Sequence, residues 1–294
     1  MRKQKKHSGF SLLELLVSVA VMLIIMGAAL TFLAKDEQVY QGTQVVANLH
    51  QGVRSALELA SQEIGQAGYL GSAEGQRQIT SNVIGSPLLQ TVSMSSTNSL
   101  FIGEKLLVDT GANQEMVTVT GVIGSSASGI FTKSHTAGTT QVAEEGAFGT
   151  GVLSGSTATT LQMFGDINSD GTLVYEEYTC DAGAGTLTRS TTPINSLTKN
   201  APDVLLSNLV ANPGGTPCFQ YQTTNFNGTA YVTSVTVTLT GQEAAAEIET
   251  NTRRTLTSSL TVAPRNVLMA LALAQASPAV TNRLQPTPPG LPLP

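Results

Sequence analysis

From Phe10 to Leu33 the chain is apolar almost without interruption. At about 1.5 Å of rise per helical residue, such a run reaches about 36 Å, enough to cross a hydrocarbon core of about 30 Å. The pattern then changes without stopping. Val39, Val46, Leu49, Val53, Leu57, Ala60, Ile64 and Ala67 recur at helical spacings with Gln, Asn, Arg and Glu between them, which predicts an amphipathic continuation. One helix from Phe10 to about Ala67 would be about 87 Å long. Gly68 and Gly71 provide its stop. Gly27 and Gly42, each costing about 1 kcal/mol relative to alanine, are its soft points.

From Leu88 onward Thr, Ser, Gly and Val dominate, and short alternating runs replace the helical period. Strands are predicted over 100–108, 115–122, 160–164, 173–179, 186–189, 218–222, 231–239 and 255–262. The fold class this implies is α+β, a long N-terminal helix packed on an antiparallel β-sheet head. Turn residues at Thr110-Gly111-Ala112-Asn113 and Gly124-Ser125-Ser126 mark 98–151 as a small β insertion. The expected domains are a basic leader (1–9), an apolar membrane-spanning half-helix (10–33), an amphipathic half-helix (34–70) and a head (71–276). A Pro-rich tail (277–294) is expected to be disordered.

Charge fixes the topology. Arg2, Lys3, Lys5 and Lys6 precede the apolar run and Asp36-Glu37 follow it, which places the N-terminus in the cytoplasm and the bulk of the chain outside the inner membrane. A secretory signal peptide has an apolar core of about 7–15 residues and a small-residue cleavage site, and this run is longer and lacks such a site. With 20 acidic against 15 basic residues, four of the basic ones in the leader, the body is too acidic to bind nucleic acid by charge. His7, His50 and His135 lie far apart in the sequence, and no nucleophile-elbow, zinc-helix or phosphate-loop motif accompanies them, so the chain reads as a non-enzyme that requires no cofactor. His135 reads as a surface or structural residue.

Glu14 is the anomaly. An ionisable group inside a membrane span costs about 2.5 kcal/mol or more. Cleavage after Gly9 would turn Phe10 into a new N-terminus, whose amine could pair with Glu14 of a neighbouring subunit and fix axial register in a helical bundle. In the first helical turn the carboxylate also suits the macrodipole. The segment Gly9-Phe10-Ser11-Leu12-Leu13-Glu14, after its short basic leader, resembles the processing signal of type IV prepilins and type II secretion pseudopilins. That resemblance implies cleavage between Gly9 and Phe10 by a membrane-embedded prepilin peptidase, N-methylation of Phe10, and Glu14 as the assembly carboxylate. Other pilins or pseudopilins would be the partners.

Further on, Tyr178, Thr186-Leu187-Thr188-Arg189, Val204-Leu205-Leu206, Phe219-Gln220-Tyr221 and Arg265-Asn266 resemble the PilW-like minor pilins. This implies a minor pilin that primes or enters a type IV pilus. A J-type minor pseudopilin of a type II secretion system and a filament-tip adhesin are the alternatives. Asp166, Asn168 and Asp170 alternate before Gly171, with Glu177 at the twelfth position, matching a calcium loop in which Thr172 adds its carbonyl. The same residues also suit a polar hairpin turn, because the flanks read as strands. Cys180 and Cys218 are the only cysteines, and an oxidising compartment predicts that they pair.

Overall fold

The computed structural model describes residues 11–71, 77–143, 146–244, 246, 252–276 and 284–293. Its longest element is α1 (Leu12–Gln66), whose 55 residues extend about 83 Å. The helix passes through Gly27 and Gly42 without a break, so the two expected half-helices are one element. The chain forms two compact units, Met1–Leu49 with Glu243–Arg254, and His50–Gln242 with Thr255–Pro294. In the first, the large apolar side chains of α1 from Leu12 to Tyr40 are exposed. The Glu243 N–H donates to the Arg254 carbonyl at 2.9 Å.

In the second unit the last turns of α1 bury Val53, Ala56, Leu57, Ala60 and Ile64, most of the apolar stripe that the helical spacing predicts there. The helix stops where the left-handed Gly68 (φ 76°) meets the rest of the head. A Cβ at Gly68 would lie 2.8 Å from the Phe148 carbonyl oxygen, so glycine serves both the left-handed cap and the close approach.

After β1 (Tyr69–Leu70) come β2 (Arg77–Gln78), β3 (Leu89–Ser93), β4 (Lys105–Val108), β5 (Glu115–Thr118), β6 (Gly121–Ile123), β7 (Ser126–Ile130) and β8 (Gln141–Ala143). Two small sheets, β2-β8-β4-β5 and β3-β7-β6, wrap a common core that includes Ile79, Leu106, Val117, Ala127, Phe131 and Val142. The chain continues from β5 into β6, and a bridge between Ile79 and Met94 ties β2 to β3. The β insertion therefore covers about 77–143 rather than 98–151. It begins earlier because Ile79, Val83, Val92 and Met94, scattered among small polar residues, supply part of its core. It ends earlier because β9 (Gly146–Phe148) pairs with β1, outside it.

The main body consists of β10 (Thr160–Gly165), β11 (Val174–Asp181), β12 (Thr186–Pro193) and β13 (Asp203–Ser207) in sequential antiparallel order. It continues with β14 (Leu209–Val210), β15 (Phe219–Phe226), β16 (Thr229–Gln242) and β17 (Thr255–Val262), in which β14, β15 and β17 are each antiparallel partners of β16. Most of the predicted strands are present here, with β11, β12, β15 and β16 longer than the alternation suggests. Short helix α2 (Arg265–Gln275) follows and buries Val267 and Ala270 beside Tyr231.

A disulfide joins Cys180 at the end of β11 to Cys218 just before β15, clamping the two sheets. The pair is separated by 38 residues. For a loop of this size the chain-entropy account gives about 4 kcal/mol of stabilisation. A double Cys180→Ser/Cys218→Ser chain should lose about that much in denaturant unfolding, and a loss below about 1 kcal/mol would show that the clamp does not constrain the unfolded chain.

The tail corrects an expectation. Rather than being disordered, its described part forms β18 (Leu284–Gln285), parallel to β9, and runs on to Leu293, which is 6% exposed within the core of Leu70, Phe101, Phe148 and Phe164. Proline has no N–H to satisfy, so a Pro-rich segment can lie against a body without a hydrogen-bond ladder while its leucines fill the core.

Candidate assembly site and the helix–head junction

At its N-terminus α1 is closed by two reciprocal hydrogen bonds. The Leu13 N–H donates to Ser11 Oγ at 3.2 Å, and the Ser11 N–H donates to Glu14 Oε2 at 3.3 Å. This is a capping box, Ser-x-x-Glu, which satisfies two of the donors that a helix start leaves free. Sequence reasoning gives Glu14 to the macrodipole and to an intersubunit amine, and overlooks the local partner although the spacing displays it. Gly9 and Phe10 lie outside the described residues. Behind the cap, α1 is long and apolar enough to cross a membrane, with a mean hydropathy of 2.6 over its most apolar window, none of which is buried.

At the other end of α1, Glu63 is 6% exposed and faces β11 and β12. Alternate strand residues point to one face, so Glu176 and Tyr178 of β11 lie together. Arg189 is directly opposite Tyr178, and Thr191 directly opposite Glu176. The Tyr178 hydroxyl donates to Glu63 Oε2 and Arg189 Nη1 donates to Glu63 Oε1. Thr191 Oγ1 donates to Glu176 Oε1 at 2.8 Å, and Arg189 Nε lies 3.9 Å from that same oxygen. Burial first, then the charge of Glu63, pushes the Glu176 carboxyl up to about 8. Burial likewise raises the Tyr178 phenol, reinforced by Glu63, so it remains a donor. Tyr178 and Arg189 figure in the sequence only as parts of a resemblance, and nothing marks Glu63 as their partner.

Of the proposed calcium-loop residues, Asp166, Asn168, Asp170 and Thr172 share one turn, while Glu177 stands apart on β11. Asp166, 1% exposed, turns inward, its Oδ1 accepting from the Asp170 N–H at 2.9 Å and its Oδ2 from the Gly171 N–H at 3.0 Å. Asp170 Oδ1 accepts from the Thr172 N–H at 2.8 Å. Glu177 sits along β11, paired with Gln162 rather than with the turn. Its Oε2 accepts from the Tyr175 hydroxyl at 2.6 Å and from Gln162 Nε2 at 3.0 Å, and Lys199 lies 3.3 Å away. Burial pushes Glu177 upward, but Tyr175, Gln162 and Lys199 together hold it below the usual carboxylate range. Asn168 is exposed in the turn. In this arrangement the turn is organised by Asp166, and no group of three or more His, Cys, Asp or Glu that could hold a metal is gathered among the described residues.

His135 is structural. It is 3% exposed, with Nδ1 3.0 Å from Asp109 Oδ2 and Nε2 2.8 Å from Glu115 Oε1. The hydrogen bond from His135 is the main cause that lowers Asp109. For Glu115 burial acts upward, but Thr132, His135 and Lys133 outweigh it. These partners stand 26 and 20 residues before His135, too far apart for any local motif to announce them.

Residues 4–30 match the family model described as the prokaryotic N-terminal methylation motif. Neither the curated proteins nor the solved structures contain a match to the chain. The motif supports a prepilin-type protein, a type IV pilin-like or pseudopilin-like subunit, and that class is structural rather than enzymatic. It implies processing by prepilin peptidase and assembly with other pilins. Together with the exposed apolar helix it fits anchoring in the inner membrane before assembly.

Proposed function

We propose that the chain is a minor pilin of the PilW-like kind, a low-abundance subunit that primes or enters a type IV pilus. Prepilin peptidase cuts between Gly9 and Phe10 and methylates the new amine. The subunit waits in the inner membrane and then joins other pilins through packing of the apolar half of α1. Glu14 is satisfied by its own capping box while the protomer is alone, and in the bundle it pairs with the Phe10 amine of a neighbour. The observation that carries this reading is the methylation motif over residues 4–30, which overlaps the start of one unbroken helix whose apolar first half is exposed.

Mass spectrometry of protein from the membrane fraction tests it, with the mature chain expected to begin at N-methylated Phe10. A chain that still begins at Met1 in working cells would falsify the proposal. Glu14→Ala should still be processed but should enter filaments at a small fraction of the wild-type level. Undiminished incorporation of that variant would remove the charge pair from the mechanism.

A further inference from the structure

The junction of Glu63, Glu176, Tyr178 and Arg189 holds two buried carboxylates and one guanidinium. Hydrogen bonding alone decides where a proton can reside. Both oxygens of Glu63 already accept, one from Tyr178 and the other from Arg189. Glu176 Oε1 accepts from Thr191, whereas Glu176 Oε2 is buried and has no hydrogen-bond partner. A second bare anion at that oxygen would be buried without a donor, beside Glu63, which is among the costliest arrangements a protein interior can contain. A proton on Glu176, donated to the Glu63 carboxylate beside it, removes the cost.

We propose that this junction is a proton-held latch: one proton on Glu176 Oε2 lets α1 dock its last turns on β11 and β12, and loss of that proton loosens the docking. The groups that face Glu176 are Glu63 from α1, Tyr178 from its own strand, and Arg189 and Thr191 from β12. Glu177 and Lys199 form their own pair, on the other face of β11. Ionisation therefore sets Glu176 against Glu63, with only Arg189 to shield them. The segment most directly affected is Ala56–Ile64, whose buried side chains the latch holds against the head.

The sign follows from linkage. An acid raised in the closed state binds its proton more tightly there than in the open state, so closing weakens as pH rises from the ordinary Glu range toward about 8, and then levels off. The limit for one proton is about tenfold in the closing equilibrium per pH unit. The test uses the full chain in detergent micelles, following amide exchange over Ala56–Gln66 and thermal unfolding from pH 5 to pH 9.

Wild-type exchange in that segment, divided by the intrinsic amide rate that itself rises about tenfold per pH unit, should accelerate severalfold per unit across the window, while the same ratio for Glu176→Gln, which keeps the shape and cannot ionise, should stay flat. Equal pH slopes in the two proteins, or a flat wild-type profile, would overturn the latch. Should the Gln variant fail to fold, the wild type alone decides the matter by infrared spectroscopy. A protonated-carboxyl band at neutral pH that disappears by pH 9 supports the latch, and its absence at neutral pH refutes it.

Discussion

Arg189→Ala is expected to be among the most damaging single substitutions in the head, at about 3–5 kcal/mol. Among the described residues the guanidinium is the only cation paired with Glu63 and Glu176, and both carboxylates are almost wholly buried. Removing it leaves an acceptor buried without its charge partner, and that penalty, rather than the worth of the ion pair, dominates the loss. For a domain of this size roughly 2–4 °C accompanies each kcal/mol, so the unfolding midpoint should drop by roughly 10 °C. Arg189→Lys should recover part of the loss, because an ammonium restores charge without the planar fork. Combining Arg189→Ala with Glu63→Gln should also recover part of it, because the stranded charge is then gone. Scanning calorimetry of the three variants at one pH separates these effects. A midpoint within about 2 °C of wild type for Arg189→Ala, a shift worth no more than about 1 kcal/mol, would mean that the two carboxylates do not depend on it.

The helix and its stop were legible because both rest on local signals. Continuous hydrophobicity, then a stripe ending at Ile64 and Ala67, then glycines, suffice to place an element of this length. The longer strands of the main body were legible for the same reason, since alternation is local. What the chain does not display is pairing between distant residues. Glu63 meets Tyr178 across 115 residues and Arg189 across 126, and no period or motif links positions so far apart. The insertion was misplaced because β2 and β3 owe their position to a core shared with β8 and β7 rather than to their own alternation. The calcium pattern shows the opposite relation between spacing and geometry. Every residue type stands at the right spacing, but the strand after the turn carries Glu177 up a ladder that gives its carboxylate to Tyr175, Gln162 and Lys199. The loop here lies between strands, and because strand and helix advance differently per residue, Glu177 stands at a different place relative to the turn than it would on a helix.

Both ends of the head fold thus depend on contacts made late in the sequence, and the C-terminal tail provides the second large effect. Leu293 lies among Leu70, Phe101, Phe148, Phe164, Leu173 and Tyr175, side chains drawn from nearly the whole length of the head. Leu291 packs against the same cluster. Upstream, Gln285 uses its side chain as a surrogate backbone, its Oε1 accepting from the Lys105 N–H at 2.9 Å and its Nε2 donating to the Lys105 carbonyl at 2.8 Å. This supplies partners to the start of β4, and the tail therefore bridges the β insertion and the main core. Leu293→Ala should cost about 2–4 kcal/mol, the range for opening a cavity at a buried leucine. A chain ending at Ala276 should lose more, because several aromatic side chains become solvent-exposed and Lys105 loses both partners. The entropy released by leaving the tail free returns about 1–2 kcal/mol per residue, which keeps the net loss well below the sum of the contacts. Limited proteolysis and thermal unfolding of the truncated and full-length chains, compared side by side in the same detergent, read the difference directly. Equal midpoints and equal protease resistance would show that the tail rests on the head without stabilising it.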